Sequence, residues 1–559
     1  MGDQQTQTPL LGRREAIAGA ASLAVAGLSP GPALAQPATD ATAHGRVFDA
    51  DTKNQGIPGV MVSNGSDVVK TDAAGRWSLP VASGDSLFVI KPPGWMTPVD
   101  PATQLPHFSY IHAPDGTPNP DDYRFAPLAP TGPLPSSIDF PLHRQDEKAR
   151  FDAILFTDPQ PESLAEVSYI RDDVVTQTVG IDAAFCITHG DIMFDDLSFY
   201  GRYNRIVGTV GLPWYNCCGN HDMNLEATGN SYSRETYKRI FGSRWSAFQY
   251  SNATFLLLDN VEYLGTDPEK PLGFGKYRGF FGARQLAFVR NVLANVPRDQ
   301  LVVACFHIPL KTLAGNDPAI ATVDARAFLD AISTHPNTVS FSGHTHTNEH
   351  WYFTASDGYA AGIHHHHVLT AVSGSWWSGP FDPRGIPMAL GSDGTPNGFH
   401  ILSVDGAGYV TTLVPAHDPA RNQMRIMLDA QLHAGGREVM RDYHENALLT
   451  GPISADMLHS ARVVVNLFDG GPRSKLEMAI GDGEAVPMTR VERIDPFVAE
   501  VYARNPDTKK PWVNAGNSSH VWQAALAADL SAGAHQVTVR SVDEYGRTHS
   551  ASMVLEVTA

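Results

Sequence analysis

The sequence predicts a mixed α/β fold, in which a central α/β region lies between two regions built only of strands. The 559-residue chain is too long for one ordinary hydrophobic core. Apolar strand-like runs alternate with helix-like segments in its middle, which is typical of layered α/β domains. On either side of that region, short alternating runs are separated by Gly, Pro, Asn and Asp, as in β-sheet proteins.

The first segment, residues 1–35, has the features of an export signal. Arg13-Arg14 precede an apolar, alanine-rich stretch from Ala16 to Leu28, and Ala33-Leu34-Ala35 is a small-residue cleavage pattern. The arginine pair is typical of twin-arginine export, and an ordinary secretory signal is the alternative. We therefore expect a bacterial periplasmic or secreted protein. No later apolar run reaches the ~20 residues of a membrane span, so no transmembrane segment is expected.

Residues 36–147 are predicted to form an N-terminal β-sandwich. The runs Gly45–Phe48 and Gly59–Ser63 alternate in polarity, and a turn leads into a further strand that ends at Pro80. The Gly-x-Pro-Gly-Val strand and the Thr-Asp-x-x-Gly turn resemble the small carboxypeptidase-regulatory-like β-sandwich. This part of the sequence shows no catalytic cluster.

Residues 148–413 are predicted to form the α/β domain. The predicted strands are Ala153–Phe156, Ala184–Thr188, Trp214–Cys218, Thr254–Leu258, Leu301–Phe306 and Thr338–Phe341. The predicted helices are Ser163–Val179, Ser233–Phe241, Ala283–Val296 and Asp324–His335. Within the third of these helices, Leu286, Val289, Leu293 and Val296 recur at helical spacing and predict a buried stripe.

Residues 414–559 are predicted to form a second β-sandwich, because helical patterns fade again. The predicted strands are Ala461–Phe468, Lys475–Ala479, Val521–Ala525, His535–Val542 and Met553–Val557. They are separated by Asp-Gly, Gly-Asp and Ser-Ala-Gly turns.

Composition excludes several classes of protein. The formal net charge of −18 argues against a nucleic-acid-coating surface and against an anionic membrane as the main partner. Four cysteines in the whole chain are no disulfide framework. Buried thiols are the expected state, with a thiolate ligand pair at Cys217-Cys218 as the alternative.

Four short polar clusters, each at the end of an apolar run, together with one isolated histidine, carry the chemistry. They are Asp158-Pro159-Gln160, Gly190-Asp191, Gly219-Asn220-His221-Asp222, His307 and Gly343-His344-Thr345-His346. Side chains at the carboxyl ends of strands are held by the sheet and point into open space. Carboxylates, imidazoles and an amide suit a pair of divalent metals, and such a pair activates water against a phosphate ester.

The order of these clusters resembles the calcineurin-like metallophosphoesterase superfamily over roughly residues 150–350. The resemblance implies a four-layer α/β/β/α sandwich, flanked here by the two all-β sandwich domains of one bacterial branch. It also implies hydrolysis of phosphomonoester or phosphodiester bonds by a metal-bridging hydroxide.

The resemblance assigns a role to each site residue. Asp158, Asp191 and His346 would hold one metal with Gln160 near it, Asp191 would bridge, and Asn220, His307 and His344 would hold the second metal. His221 would not be a ligand but would protonate the leaving oxygen, oriented by Asp222. General acid help of this kind contributes ~10²–10⁴-fold.

The chain departs from the superfamily at Gln160, where the superfamily usually has histidine. An amide oxygen is a harder and weaker donor than imidazole. The cofactor expectation is therefore two divalent metals, Mn, Fe, Zn or Mg, with the identity open.

Three further motifs allow more than one interpretation. The histidines His364–His367 precede a strand predicted at Val368–Val372, and alternation would split them between two faces. A structural or exposed role is favoured over a third metal site. Trp376-Trp377 would line a substrate pocket or pack against a neighbouring sandwich. Asp195 and Asp196 would lie beside the site or cap the next helix.

The leading hypothesis is an exported dinuclear-metal phosphoesterase, a metal-dependent phosphoric ester hydrolase with a phosphate ester as its partner. One alternative is a non-catalytic envelope protein that binds phosphate or glycan at a degenerate metal site, with the flanking sandwiches binding glycan or a partner protein. The other alternative is a hydrolase of pyrophosphate bonds.

Overall fold

The computed structural model describes residues 41–266, 275–416, 418, 420–429 and 452–559. The predicted export signal at residues 1–35 lies outside the described residues. Among the helices that the structure describes, none is both long enough and apolar enough to cross a bilayer.

Short strands build the N-terminal region. They are β1 (Ala41–Asp49), β2 (Gln55–Gly56), β3 (Met61–Ser63), β4 (Val68–Lys70), β5 (Arg76–Val81), β6 (Ser86–Ile90), β7 (Trp95–Met96), β8 (Ser109–Ile111) and β9 (Phe140–Arg144). One sheet has the order β2-β1-β9-β7 with β5 also paired to β1, and the other has the order β4-β3-β6-β8. Strand alternation buries Trp77 and Leu79 against Val47 and Leu87. The predicted boundary at residue 147 stays a prediction.

The central region contains parallel strands together with antiparallel ones. They are β10 (Arg150–Phe156), β11 (Phe185–His189), β12 (Trp214–Cys217), β13 (Ser246–Tyr250), β14 (Ala253–Leu257), β15 (Val261–Thr266), β16 (Gly275–Gly279), β17 (Leu301–Cys305), β18 (Thr338–Ser342), β19 (Glu349–Phe353), β20 (His364–Val368), β21 (Gly398–Asp405) and β22 (Gly408–Pro415). One central sheet has the order β12-β11-β10-β21-β22, and the other has the order β13-β14-β17-β18-β20-β19. Strands β15 and β16 form a separate ribbon.

Helices connect the parallel strands. They are α1 (Leu164–Tyr169), which continues through a π-helical segment (Ile170–Val175) into α2 (Thr176–Thr178), then α3 (Tyr200–Gly208), α4 (Glu235–Phe241), α5 (Gly282–Leu293) and α6 (Ala325–Ile332). Short 3₁₀ turns lie at Pro120–Asp122, Leu197–Phe199, Asn230–Tyr232, Ala455–Met457 and Pro506–Thr508. The predicted stripe is buried, which confirms that prediction: Leu286, Val289 and Leu293 lie on α5, and Val296 lies just beyond the end of the helix.

The two central sheets stack face to face and carry helices on their outer faces. Along β10, Ala153 and Leu155 point into a core shared with the other sheet, where they meet Val303 of β17. Ile154 and Phe156 point the opposite way and pack with the helices. On the far side, α5 and α6 pack on the six-stranded sheet. The predicted α/β/β/α layering is confirmed.

The C-terminal region is again rich in strands. They are β23 (Met424–Leu428), β24 (Ile453–Ser454), β25 (Arg462–Leu467), β26 (Lys475–Ile480), β27 (Val486–Pro487), β28 (Thr489–Ile494), β29 (Asn517–Ala525), β30 (Gly533–Val542) and β31 (Thr548–Thr558). They form two sheets, with the orders β23-β25-β29-β28 and β24-β31-β30-β26-β27. The boundary predicted at residue 414 stays a prediction.

An α-helix in this region departs from the all-β prediction. Helix α7 (Pro496–Arg504) begins at Asp495, whose carboxylate accepts hydrogen bonds from the first backbone N–H groups of the helix. Asp before Pro is a strong helix-start signal. Val498 and Tyr502 on the helix pack against Leu390 of the central region. Tertiary packing therefore stabilises this helix, which the surrounding strand-like sequence did not predict.

The four consecutive histidines form a strand of their own. The strand predicted at Val368–Val372 instead runs from His364 to Val368, paired between β18 and β19, and all four histidines are buried. An exposed role is therefore wrong. The predicted split between two faces is confirmed, since His364 and His366 bond to Ser340 while His365 bonds to Tyr409. Each of the four cysteines is a free, buried thiol, as predicted.

Candidate metal centre

The predicted site residues follow the carboxyl ends of strands from both central sheets. Asp158 and Gln160 follow β10, Asp191 follows β11, Asn220 to Asp222 follow β12, His307 follows β17, and His344 and His346 follow β18. Strands β10, β11 and β12 run parallel, as do β17 and β18. Because parallel strands end at the same edge of a sheet, the stacked pair of sheets brings these residues into one cluster.

The carboxylate of Asp191 lies at the centre of this cluster. Its Oδ2 lies 3.2 Å from Nε2 of His307 and accepts a hydrogen bond from the side-chain amide of Gln160. Its Oδ1 accepts a hydrogen bond of 2.8 Å from the backbone N–H of His221. Asp191 is the residue that contacts side chains on both sides of the cluster, which is the position a bridging ligand needs.

One side of the cluster is formed by two imidazoles and an amide. Nε2 of His307 lies 3.0 Å from Oδ1 of Asn220 and 3.1 Å from Nδ1 of His344. The donor atoms of Asp191, His307 and His344 all lie within 4.8 Å of one another. Imidazole nitrogens, a carboxylate and an amide oxygen at these separations fit a divalent transition metal.

The other side of the cluster contains buried polar atoms whose hydrogen-bonding capacity is not satisfied by the described residues. Nε2 of His346 lies 3.7 Å from Oδ1 of Asp158. Neither this Nε2 nor Oε1 of Gln160 has a hydrogen-bond partner within the described ranges. Buried polar atoms without partners are costly, and the Nε2 of His346 faces the carboxylate of Asp158. The donor set on this side therefore also fits a metal.

Backbone carbonyls hold the histidine rings with one nitrogen directed into the cluster. Nδ1 of His307 donates to the carbonyl of His189 at 2.9 Å, and Nε2 of His344 donates to the carbonyl of Ala319 at 2.8 Å. Nδ1 of His346 donates to Gly374. A carbonyl only accepts, so each bond fixes a tautomer and leaves the other nitrogen as a lone-pair donor toward the cluster.

Several of these residues have a backbone conformation that non-glycine residues rarely adopt. Asp158, Gln160, Asp191, His344 and His346 all have positive φ, from 39° at Gln160 to 76° at His344. Such conformations cost roughly 1–3 kcal/mol each and concentrate at functional sites. The cluster is thus held in place against local backbone preference.

Two motif glycines make room for the neighbouring ligands. A Cβ at Gly343 would lie 1.7 Å from Oγ1 of Thr157, and a Cβ at Gly219 would lie 2.1 Å from the backbone nitrogen of Asp191. Contacts that short do not occur, so any side chain at either position would displace a ligand loop. Gly343 therefore allows the close backbone approach that the cluster needs.

Electrostatics couples Asp191 to His307. Burial alone would raise the pKa of Asp191, but the charge of His307 lowers it below its usual range. Burial would lower the pKa of His307, but Asp191 raises it to about 9. For His344, burial and the charge of His307 outweigh the opposing effect of Asp191 and lower the pKa to about 3. Without metal, the cluster is therefore an ion pair next to neutral imidazoles.

The side chain of His221 is held by Asp195. Nδ1 of His221 lies 2.7 Å from Oδ1 of Asp195, and the ring stacks on Phe194 with centroids 4.4 Å apart. The carboxylate of Asp222 instead accepts hydrogen bonds from Tyr200 and from backbone N–H groups, Gly219 among them. The predicted orienting role of Asp222 is therefore wrong, because its oxygens organise the surrounding loops.

The two neighbouring tryptophans have different roles. Trp376 stacks on the ring of His346, with centroids 4.0 Å apart, so it lies at the site as one interpretation predicted. Trp377 is buried, packs near Tyr169 and donates to the carbonyl of Pro159, so it belongs to the core.

The C-terminal region contributes aromatic and basic groups that the sequence did not identify. Trp512 lies 6.3 Å from Phe194 and 6.4 Å from Trp376, measured between ring centroids. Nζ of Lys510 lies 5.9 Å from the ring of Phe194 and forms an ion pair of 2.6 Å with Glu162. No motif marks either residue, since they lie more than a hundred residues beyond the last predicted ligand.

The layered α/β sandwich presents this donor set at its strand ends, where it fits a metal-binding site. Residues 41–128 match the family described as N terminal of calcineurin-like phosphoesterase, and residues 366–549 match the family described as C terminal of calcineurin-like phosphoesterase. Both matches support the calcineurin-like metallophosphoesterase superfamily and, with it, a metal-dependent phosphoesterase. The predicted ligands lie between the two matched segments, so their individual roles stay predictions.

Among solved structures, the chain is similar to purple acid phosphatase PPD1 from the seeds of yellow lupin (Lupinus luteus). The identity is 12%, the match covers 67% of this chain and 71% of that chain, and the TM-score is 0.33. No curated protein matches the chain.

The pKa of His307 predicts how metal binding depends on pH. Since this pKa is raised to about 9, His307 is protonated at pH 7 in the metal-free protein, whereas a ligand imidazole must be neutral. Metal binding at pH 7 should therefore release protons, and metal affinity should rise as the pH approaches 9. Calorimetric titration in buffers of different ionisation enthalpy measures the release. Binding at pH 7 without proton release would contradict this picture.

Proposed function

We propose that the protein is a dinuclear-metal phosphoesterase that hydrolyses phosphomonoester or phosphodiester bonds. The observation that carries the proposal is the position of Asp191, whose Oδ2 contacts His307 from one set of buried donors and Gln160 from the other set. A single metal would need only one of these sets. The two family matches support the same class of reaction.

The proposed ligands divide into two sets that share Asp191. The first set is Asp158, Asp191 and His346 with Gln160 beside them, and the second set is Asp191, Asn220, His307 and His344. Divalent metals bound there supply an activated water and neutralise charge on a phosphate. The chain's own part is to hold the donors and to keep the imidazoles in the tautomers that the backbone carbonyls impose.

Gln160 has a more limited role than the histidine it replaces. Its amide nitrogen donates to Asp191, and only Oε1 remains as a donor atom. We therefore assign Gln160 two tasks, to orient the shared carboxylate and to offer an amide oxygen to the first metal. An amide oxygen favours harder metals than imidazole does, so Gln160 influences which metal binds.

His221 is the proposed general acid. Its Nδ1 is engaged by Asp195, so Nε2 is the atom that carries the proton for the leaving oxygen. Stacking on Phe194 restricts rotation of the ring, and the backbone N–H of the same residue is bound to Asp191. The acid is thus positioned relative to the metal ligands by its own main chain.

The proposed substrate site is bordered by aromatic rings. Phe194 and Trp376 lie against His221 and His346, and Trp512 lies near both aromatic rings. Flat apolar surfaces of this kind favour esters with an aromatic or sugar-like leaving group. We further propose that the protein is exported by the signal at residues 1–35, for which a mature N-terminus at Gln36 is the measurable consequence.

Loss of metal should abolish hydrolysis. We expect metal-loaded protein to cleave an aryl phosphate and to lose this activity in chelator. Asn220→Ala and His344→Ala should lower metal content and rate together, because each removes a proposed ligand. Elemental analysis and a panel of mono-, di- and pyrophosphate esters measure both quantities.

Cleavage confined to pyrophosphates would favour the pyrophosphate-bond hydrolase. If loaded protein binds phosphate but cleaves no ester in the panel, the binding-protein alternative holds and the proposal fails.

The general acid should be separable from the metal ligands. His221→Ala should lower kcat by roughly 10²–10⁴-fold with metal content retained. Asp195→Asn should lower kcat by a smaller factor and shift the pH profile of kcat. The matched control is Asp222→Asn, which should lower thermal stability and leave that pH profile unshifted. A profile shifted by Asp222→Asn and not by Asp195→Asn would restore the orienting role to Asp222.

A further inference from the structure

A second buried cluster of histidines and a carboxylate lies outside the site described above. It consists of His350 on β19, His367 on β20, His400 on β21 and Asp469, which follows β25. The side-chain exposure is 0% for each histidine and 8% for Asp469. These residues come from both central sheets and from the C-terminal region, so the cluster lies where three sheets meet.

The donor atoms of His350, His367 and Asp469 all lie within 4.8 Å of one another, and His400 lies at the edge of this group. Oδ1 of Asp469 lies 3.2 Å from Nε2 of His350, 3.1 Å from Nε2 of His367 and 3.6 Å from Nε2 of His400. Zinc bonds of about 2.0–2.1 Å in a tetrahedron place neighbouring ligand atoms about 3.3–3.4 Å apart. The three measured separations lie on either side of that value.

Hydrogen bonding alone leaves part of the cluster unexplained. Neither ring nitrogen of His400 has a hydrogen-bond partner in the described part of the chain, and neither does Oδ2 of Asp469. A fully buried imidazole without any partner is rare, because it forfeits its bonds to water without replacement. A cation at the centre would use Nε2 of His400 directly.

The outer nitrogens are arranged as they are around metal-bound histidines. Nδ1 of His350 lies 2.9 Å from Nε2 of His365, and Nδ1 of His365 lies 2.7 Å from the hydroxyl of Tyr409. Nδ1 of His367 lies 3.4 Å from the hydroxyl of Thr411. Such outer partners fix the ring orientation and direct Nε2 inward.

Asn348 connects this cluster to the loop that carries His346. Its Nδ2 donates to Oδ1 of Asp469 at 3.0 Å, and its Oδ1 lies 2.7 Å from Nε2 of His367. The Asn348 side chain is therefore within reach of the same centre and offers one more oxygen donor. It lies two residues beyond a proposed ligand of the dinuclear centre.

We propose that His350, His367, His400 and Asp469 bind a structural divalent metal ion, with zinc as the best match to the donor set. Three imidazoles and one carboxylate, all buried, form a closed set with borderline donors, as structural zinc sites do. The ion would join the two central sheets to the C-terminal region. This site shares no ligand with the dinuclear centre.

The opposite face of the same strand provides an internal contrast. His364 and His366 are equally buried, but their ring nitrogens pair with hydroxyls of Thr338, Ser340 and Ser342, and Nε2 of His366 also accepts from Leu310 N–H. No carboxylate among the described residues faces them in any ion pair. That face of the strand is satisfied by hydrogen bonds, so His366 is the matched control.

The test compares the metal content of four proteins purified in parallel: wild type, Asp469→Asn, His400→Asn and His366→Asn. Asp469→Asn and His400→Asn should each lose one equivalent of zinc relative to wild type and should melt at a lower temperature. His400→Asn breaks no hydrogen bond seen among the described residues, so it should still fold. His366→Asn should keep the full metal content even where its stability falls.

Wild-type crystals provide the decisive second measurement. Anomalous diffraction at the zinc edge should give a peak between the three Nε2 atoms and Asp469, recorded separately from any peaks at Asp191. Absence of that peak, with unchanged metal content in Asp469→Asn and His400→Asn, would overturn the proposal. A peak at Asp469 without any at Asp191 would support this site while contradicting the dinuclear centre.

Discussion

The buried carboxylate of Asp191 is the interaction on which the architecture of the proposed catalytic centre depends. Leaving such a charge unpaired in the interior would cost several kcal/mol, and here His307, Gln160 and the main chain of His221 compensate it. His307 belongs to the six-stranded sheet and Asp191 to the five-stranded sheet. The ion pair therefore joins the strand ends of the two sheets, and the remaining ligands gather around it.

Much of the fold could be predicted because its hydrophobic patterns are local. Alternation along β10 and the helical spacing of Leu286, Val289 and Leu293 each specify one element and one buried face. The ligand clusters could also be predicted, because each is a short polar motif at the end of an apolar run. What the structure adds is their convergence, together with the positive φ values that no pattern in the sequence specifies.

The parts that could not be predicted depend on contacts between distant residues. Asp222 is adjacent to His221 in sequence and Asp195 lies 26 residues away, yet the fold brings Asp195 to the imidazole ring while Asp222 bonds to the neighbouring loops. The strand His364–Val368 has no apolar alternation, so its burial follows from partners on neighbouring strands and from Asp469, over a hundred residues away. Helix α7 likewise depends on packing against the central region.

The central claim is that Asp191 is shared by two metals, and the conservative variant Asp191→Asn tests it most directly. Asparagine retains one oxygen and the bond from the His221 main chain but loses the charge that two cations would share. Metal content measured by equilibrium dialysis and elemental analysis should fall by two equivalents relative to wild type, in protein that remains folded by circular dichroism. A folded Asp191→Asn variant that keeps both equivalents, or loses only one, would contradict the shared carboxylate.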